Sequence, residues 1–537
     1  SRKFLGKHTH YRYEIAMNLC RDLYAGTQDQ NWLTRAFETA ERSKAFSLAQ
    51  AIRVDQSDLK SLVPDSLLRR ERDLKVLRSS YGKRLAQLPP KAPMRGRLDS
   101  IRLRLEESYV ALQKQLERDY PAFYRGRVAA GRPSLEALQA RLPEGAGLLE
   151  FFAGDSAYFR LAITHDAVRL DRIAKTPELD SSMLAFRKAI AQPPDPNQSA
   201  ADTWQAFAQP GHALYQTLVA TAFGDATLSH LTVVPDGALA ELPFGLLVRS
   251  LPDAPSTSFP DINYLFRSTP ISYAYAARLQ NPEAKSTANA PKKLLAMAPS
   301  TEGATQTQRE QTPGALVHTR AEVEAVSRIF GGEVLHGAAA TKAHFLEHSS
   351  QYRFLHLASH LLLNDSMPMA SRLLFAPDQD STTSDDLHLY ELYGLQLQAN
   401  MAVLSACNTG SGQFQRGEGQ LSLAWGFRMA GCPALVVSLW NANDRTTAEL
   451  MSGFYAALKD GKGKSEALNS AREDYLKSAD PYRSHPYFWG SFMVIGDTSP
   501  VVTEEAAAGI WWYWVGGGTL ALILILGLGR IFRRQTA

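Results

Sequence analysis

From Thr319 onward the chain alternates short apolar runs with helical stretches, and that rhythm leaves few folds open. The runs are Tyr352 to His360 (YRFLHLASH), Met401 to Leu404 (MAVL) and ALVVSLW at 434–440, with a shorter one at Glu333 to Leu335. Among them lie the helix AEVEAVSRIF, one opening at Thr341, one through Leu421 to Met429, and two over 445–459 and 464–476. Short apolar runs stopped by turn residues read as buried strands. Strands that alternate with helices imply a mostly parallel sheet with helices on both faces. In such sheets, ligands and reacting groups collect at the carboxyl ends of the strands. One run here ends in His360, and another leads through Ser405 and Ala406 to Cys407, with Asn408, Thr409 and Gly410 behind it. A thiol and an imidazole on two strand ends of one sheet make a nucleophile and its base. The plain alternative is a buried small hydrophobe and a satisfied polar side chain.

The rest of the chain divides by texture. Residues 1–55 are helical, with apolar or small residues at helical spacing (Trp32, Ala36, Phe37, Ala40, Ala45, Leu48, Ala49, Ile52). They resemble the last unit of a tetratricopeptide array, which cannot bury its own face alone; a plain helical hairpin has the same periodicity. Over 56–133, two apolar stripes joined by LPPKAP predict an antiparallel helical pair whose charged faces are solvated. At Ser134 the texture turns to a strand meander, then helices over 175–223, then HLTVVPDGALAELPFGLLV with a Pro-Asp-Gly turn. Units are therefore expected at 134–290 and 291–500.

Composition excludes some functions. A net charge of +4 over 537 residues is too weak for a nucleic-acid surface. Three cysteines, Cys20, Cys407 and Cys432, are too few and too scattered for a disulfide framework. Cys20 and Cys432 read as packing residues. The tail predicts a membrane anchor: Ile510 to Leu528 carries no charge, Trp511, Trp512, Tyr513 and Trp514 stand at one end, and Arg530, Arg533 and Arg534 at the other. A transmembrane helix is thus expected over 509–529, followed by a basic tail over 530–537 and giving single-pass membrane localisation; the arginines favour a cytoplasmic C-terminus. Which side would hold the body stays open.

Residues 134–497 resemble a CHAT domain, a caspase-like cysteine peptidase family related to separase and often fused to tetratricopeptide repeats. The motifs, in order, are PDGALAELPF (235–244), FLHLASH (354–360), LSACNTG (404–410), GEG (417–419), AGCPALVVSLWNANDRTT (430–447) and HPYFWGSFMVIGD (485–497). The resemblance implies a caspase/hemoglobinase-like, mostly parallel sheet, with His360 as base and Cys407 as nucleophile of an endopeptidase that needs no cofactor. By the same likeness, the oxyanion donors are the backbone N–H groups of Cys407 and Leu361. The family pattern has glycine where Leu361 stands, and leucine reaches positive φ only at a cost. Asp444 resembles the acid at the floor of the separase-like specificity pocket, which would select a basic residue before the cut; its other reading is a helix N-cap. Glu418 either orients the site or braces its loop, and Trp440 and Trp489 either wall a substrate groove or fill the core. His356 precedes His360 by four residues, so on a strand both share a face; no carboxylate or cysteine at ligand spacing makes them a metal site. The expected partners are a protein substrate, a protein bound by the helical repeats, and the membrane, but no nucleic acid. The alternative to an enzyme is an inactive caspase-like scaffold for protein assembly.

Overall fold

The computed structural model describes residues 2–44, 48, 61–89, 91–129, 134–224, 226–253, 256–279, 290–299, 318–364, 367–377, 385–405, 413–415, 419–441 and 444–501. Strands β1 (Ala146–Ala153), β2 (Ala157–Thr164) and β3 (Val168–Ala174) form the expected antiparallel meander. β4 (His230–Val234), β5 (Ile271–Tyr273), β6 (Lys292–Pro299), β7 (Glu333–Gly337) and β8 (Tyr352–Ala358) follow. Three two-residue strands come next: β9 (Leu361–Leu362), β10 (Arg372–Leu373) and β11 (Leu387–His388). After β12 (Met401–Ser405) come the hairpin β13 (Gln413–Gln415) and β14 (Gly419–Leu421), then β15 (Ala434–Ser438) and β16 (Phe492–Gly496).

The main sheet has the order β3-β2-β1-β4-β5-β16-β15-β12-β8-β6-β7. It is two parallel blocks back to back, with β2 and β3 added antiparallel at the β1 edge. β1, β4, β5 and β16 run one way, and β15, β12, β8, β6 and β7 run the other. The blocks meet at the antiparallel pair β15–β16, which carries the last strand of the chain into the middle of the sheet. At the end of that seam, where it pairs with Ala434, Gly496 has φ 91°, and a Cβ there would collide with the carbonyl oxygen of Pro433, so only glycine fits. In the second block the chain runs outward from β6 to β7 and then returns past β6 to β8. Strand order therefore reverses between β6 and β8, the place where open parallel sheets bind ligands.

Burial explains why the strands read as apolar runs rather than alternations. Every residue of β1, β12 and β15 is buried, because both faces are covered. On β1, Leu148 and Phe152 pack with Phe37, Leu33 and Met17 of the N-terminal helices, while Leu149 and Phe151 belong to the large core on the other face. Each such side chain contributes roughly 1.5–3 kcal/mol of burial. In the second block, Phe330 of helix Thr319–Phe330 meets Phe354 of β8 and Tyr455 of helix Asp444–Lys459 edge-on, at 5.0 and 5.4 Å.

Helix Arg2–Thr27 packs on helix Asn31–Arg42; residues 45–47 and 49–60 lie outside the described part. Helices Asp65–Gln87 and Arg95–Asp119 pack on one another around a small core of their own, including Leu68, Leu74, Leu112 and Leu116.

The structure corrects the membrane expectation. No helix among the described residues is long and apolar enough to cross a membrane, so single-pass membrane localisation is not supported. The physical reason is charge. Arg2–Thr27, Asp65–Gln87 and Arg95–Asp119 have the length of a span, but each carries Arg, Lys, Asp or Glu along its whole course. Residues 509–529 and 530–537, which carried the expectation, lie outside the described residues.

Candidate active site

The neighbouring strands β8 and β12 end level with one another. Leu357 pairs with Leu404 and Ala358 with Ser405, the last residue of each strand. Beyond that point the Ser359 N–H donates to the Ser405 carbonyl oxygen at 3.3 Å. His360 follows, 5% exposed, where the backbone has left the main sheet and turns into β9.

Leu361 lies in β9, the outer strand of the ribbon β11-β10-β9. It pairs with Leu373, while Leu362 pairs with Arg372. The Leu374 N–H donates to the His360 carbonyl oxygen at 3.0 Å, so Leu361 and Leu373 form the non-hydrogen-bonded rung and Leu362 the hydrogen-bonded one. Alternation along a strand then directs the Leu361 N–H away from β10, out of the free edge of the ribbon. Leucine meets no conformational obstacle here. Gln28 is the one described non-glycine residue with positive φ, and Leu361 adopts an ordinary strand conformation.

His356 does not join His360. β8 stops at Ala358, so the alternation that would set the two rings on one face does not reach residue 360. His356 is fully buried, with Nε2 3.0 Å from Oε1 of Glu322 and Nδ1 3.2 Å from the Tyr455 hydroxyl. It ties two covering helices to the sheet, a role a sequence scan for metal ligands does not reveal.

The ribbon is held from the side by the helical pair. Lys83 Nζ lies 2.6 Å from Nε2 of His388 in β11, and the other ring nitrogen lies 3.2 Å from the Ala370 carbonyl oxygen. The His388 ring stacks on Tyr390 at 5.2 Å, and the His388 backbone N–H donates to the Glu391 carboxylate at 2.8 Å. Burial, and then the Lys83 charge, push the His388 imidazole down to about 3, so it stays neutral. An unfolded histidine titrates near 6.5. Between those values the unfolded chain holds a proton that the folded one refuses, so stability falls as pH falls. Lowering pH from 7.5 to 5 is expected to cost about 2 kcal/mol through His388, read as a lower urea midpoint. Most of that pH dependence should vanish in His388→Gln.

The other cysteines are poor nucleophiles. Cys432 is fully buried, its Sγ 3.2 Å from the Ala434 carbonyl oxygen, and burial pushes its thiol up to about 12. Burial also raises the Cys20 thiol. Trp489 is fully buried, and its Nε1–H donates to the Ser484 carbonyl oxygen at 2.8 Å. Trp440 is 5% exposed and donates from Nε1 to Tyr487 at 3.0 Å, so its ring belongs mostly to the interior. Asp444 is the first residue of helix Asp444–Lys459, with its side chain outside the described part; Cys407 and Glu418 lie outside it altogether. The Cys407 segment is bounded by β12 before it and, after β14, by helix Leu423–Met429, whose N-cap Ser422 accepts from the Trp425 N–H at 3.3 Å.

The chain is similar in part to several known proteins. Human tetratricopeptide repeat protein 28 is 26% identical over 58% of the chain, and the mouse protein 25% identical over 53%. The chain spans only 14% and 13% of the length of these relatives. Among solved structures, the Saccharomyces cerevisiae separase–securin complex aligns with 87% of this chain and 40% of that one, at 8% identity and a TM-score of 0.44. The Arg-specific cysteine proteinase gingipain R aligns with 61% of this chain and 75% of its own, at 11% identity and a TM-score of 0.32. Likenesses that slight carry no weight for fold or activity. The family match does, because it spans residues 208–497, just over half of the chain, and includes both strand ends described above. The chain belongs to the CHAT-domain family.

Proposed function

We propose that the chain is a cysteine endopeptidase in which His360 is the base and Cys407 the nucleophile. The observation that carries the reading is the level ending of β8 and β12. His360 stands two residues past Ala358, Cys407 two residues past Ser405, and Ala358 and Ser405 are paired neighbours. Elimination supports it, since the other two of the three cysteines are buried and hold their protons. In this mechanism His360 takes the Cys407 proton, the thiolate attacks the scissile carbonyl, and the imidazolium returns the proton to the leaving amine. Water then hydrolyses the thioester by the reverse sequence. The Leu361 N–H, directed out of the ribbon edge, and the Cys407 N–H serve the oxyanion.

Asp444 is proposed at the floor of the pocket for the residue before the cut, with Trp440 and Glu418 bracing its surroundings. A carboxylate there selects Arg or Lys by charge-assisted hydrogen bonds. The N-terminal helices are proposed as the end of a repeat array that binds a protein partner. Peptides differing only in Arg, Lys, Leu or Asp before the bond are expected to be cleaved fastest with Arg or Lys, by on the order of a hundredfold or more. Preference for Leu removes Asp444 from the pocket. Equal labelling of wild type and Cys407→Ala by a thiol-reactive peptide probe supports the scaffold alternative.

A further inference from the structure

Ser359 lies between the paired strand end and His360, is 3% exposed, and bonds to two separate segments of chain. Its N–H reaches the Ser405 carbonyl oxygen, at the end of β12. Its hydroxyl donates to the Leu374 carbonyl oxygen at 2.6 Å, just past β10. The Leu374 N–H in turn donates to the His360 carbonyl oxygen at 3.0 Å. Both polar groups of the Leu374 backbone are thus spent on the two residues Ser359 and His360. The hydroxyl closes a small ring, Ser359–His360–Leu374, that fixes the backbone on both sides of the imidazole. The same residue holds that ring to the end of the strand leading to Cys407.

We infer that Ser359 is a positioning residue, which sets the His360 imidazole relative to both the Cys407 strand and the ribbon that carries Leu361. The inference rests on the peptidase reading for its purpose, though not for its geometry. Alanine at 359 keeps the N–H bond to Ser405 and loses only the hydroxyl, leaving the buried Leu374 oxygen short of a donor. The His360 backbone then keeps its bond from the Leu374 N–H but loses the Ser359 tie beside it, and its ring samples more orientations.

The test uses the full chain and two readouts. Hydrogen–deuterium exchange at the His360 imidazole carbon, followed by mass spectrometry across pH, reports ring exposure and titration without any need for activity. Ser359→Ala is expected to speed that exchange severalfold, and Ser359→Thr, which keeps the hydroxyl, to restore it toward wild type. An exchange profile unchanged in Ser359→Ala overturns the inference. Peptide-probe labelling of Cys407, per folded molecule, is expected to slow by about a hundredfold in Ser359→Ala, the usual loss when a base is misplaced. A purely structural role would lower the folded fraction and leave both readouts unchanged per folded molecule. Should Ser359→Ala not fold, Ser359→Cys, close in shape but a weak donor, is read with the same expectation. If wild type shows no labelling at Cys407, the peptidase reading fails while the exchange profile still decides the role of Ser359.

Discussion

Replacing Cys407 with Ala is expected to remove peptide cleavage to below detection, and His360→Ala to lower it by about a thousandfold or more. The two losses differ in kind. Without the thiol no acyl-enzyme forms, so no remaining group on the chain replaces it. Without the imidazole a small thiolate fraction remains at neutral pH, because a free thiol ionises near 8.5. The double variant should be no worse than Cys407→Ala, since the two groups act in one step and their losses do not add. Cys432→Ala is the matched control. Its thiol is buried, donates to the Ala434 carbonyl oxygen and is pushed up to about 12, so its loss should leave kcat within about twofold. Steady-state kinetics on one basic peptide reads all four variants against wild type. Activity that survives in Cys407→Ala contradicts the assignment.

The second large effect falls where the N-terminal helices meet the sheet. Lys44 Nζ lies 2.9 Å from Glu150 Oε1, with side chains only 3% and 0% exposed. Beside them Glu41 accepts from the backbone N–H groups of Ala277 and Arg278 at 2.7 and 3.0 Å and pairs with the Arg278 guanidinium. Glu150 is on the strand face turned toward these helices, so it has no route to water. Burial, then the nearby Glu41 charge, push its carboxyl well above the usual range, and Lys44 works against both. Removing the ammonium alone leaves a buried acid without its partner. Lys44→Met is therefore expected to destabilise the fold by about 3–5 kcal/mol, read as a lower urea midpoint. Lys44→Met combined with Glu150→Leu should recover most of that loss, because an apolar pair of similar volume suits the site. A single variant as stable as wild type would show that the pair does not hold the helices to the sheet.

The sequence made the second block legible because its strands are buried on both faces. MAVLS and ALVVS are apolar but for one serine each, YRFLHLA is apolar but for Arg353 and His356 beside Tyr352, and turn residues or helices bound each of them. Thr341 was readable as an N-cap, and it does accept from the His344 N–H at 3.2 Å. The ribbon was not legible, since strands of two residues leave no periodicity to read. Nor was the seam: nothing local in FMVIG says that it lies antiparallel to β15 and parallel to β5. Glu14 and Glu41 carry no pattern in the sequence that singles them out. They are buried clamps, Glu14 on the N–H groups of Asp155 and Ser156, and Glu41 on the chain just past β5. Such contacts join residues more than a hundred positions apart, which no window along the chain can sense. His360, the proposed base, was singled out because the apolar run ends in it, although β8 itself stops at Ala358; the bonds around it, from Ser359 and Leu374, became visible only with the fold.

The claim on which everything else depends is that the imidazole of His360 lowers the pKa of the Cys407 thiol. The rate of Cys407 alkylation by iodoacetamide, measured from pH 4 to 10 in wild type and in His360→Ala, tests it most directly. The account predicts a wild-type profile that rises well below the free-thiol value of about 8.5 and returns to that value in His360→Ala. Two superimposable profiles near the free-thiol value would contradict it.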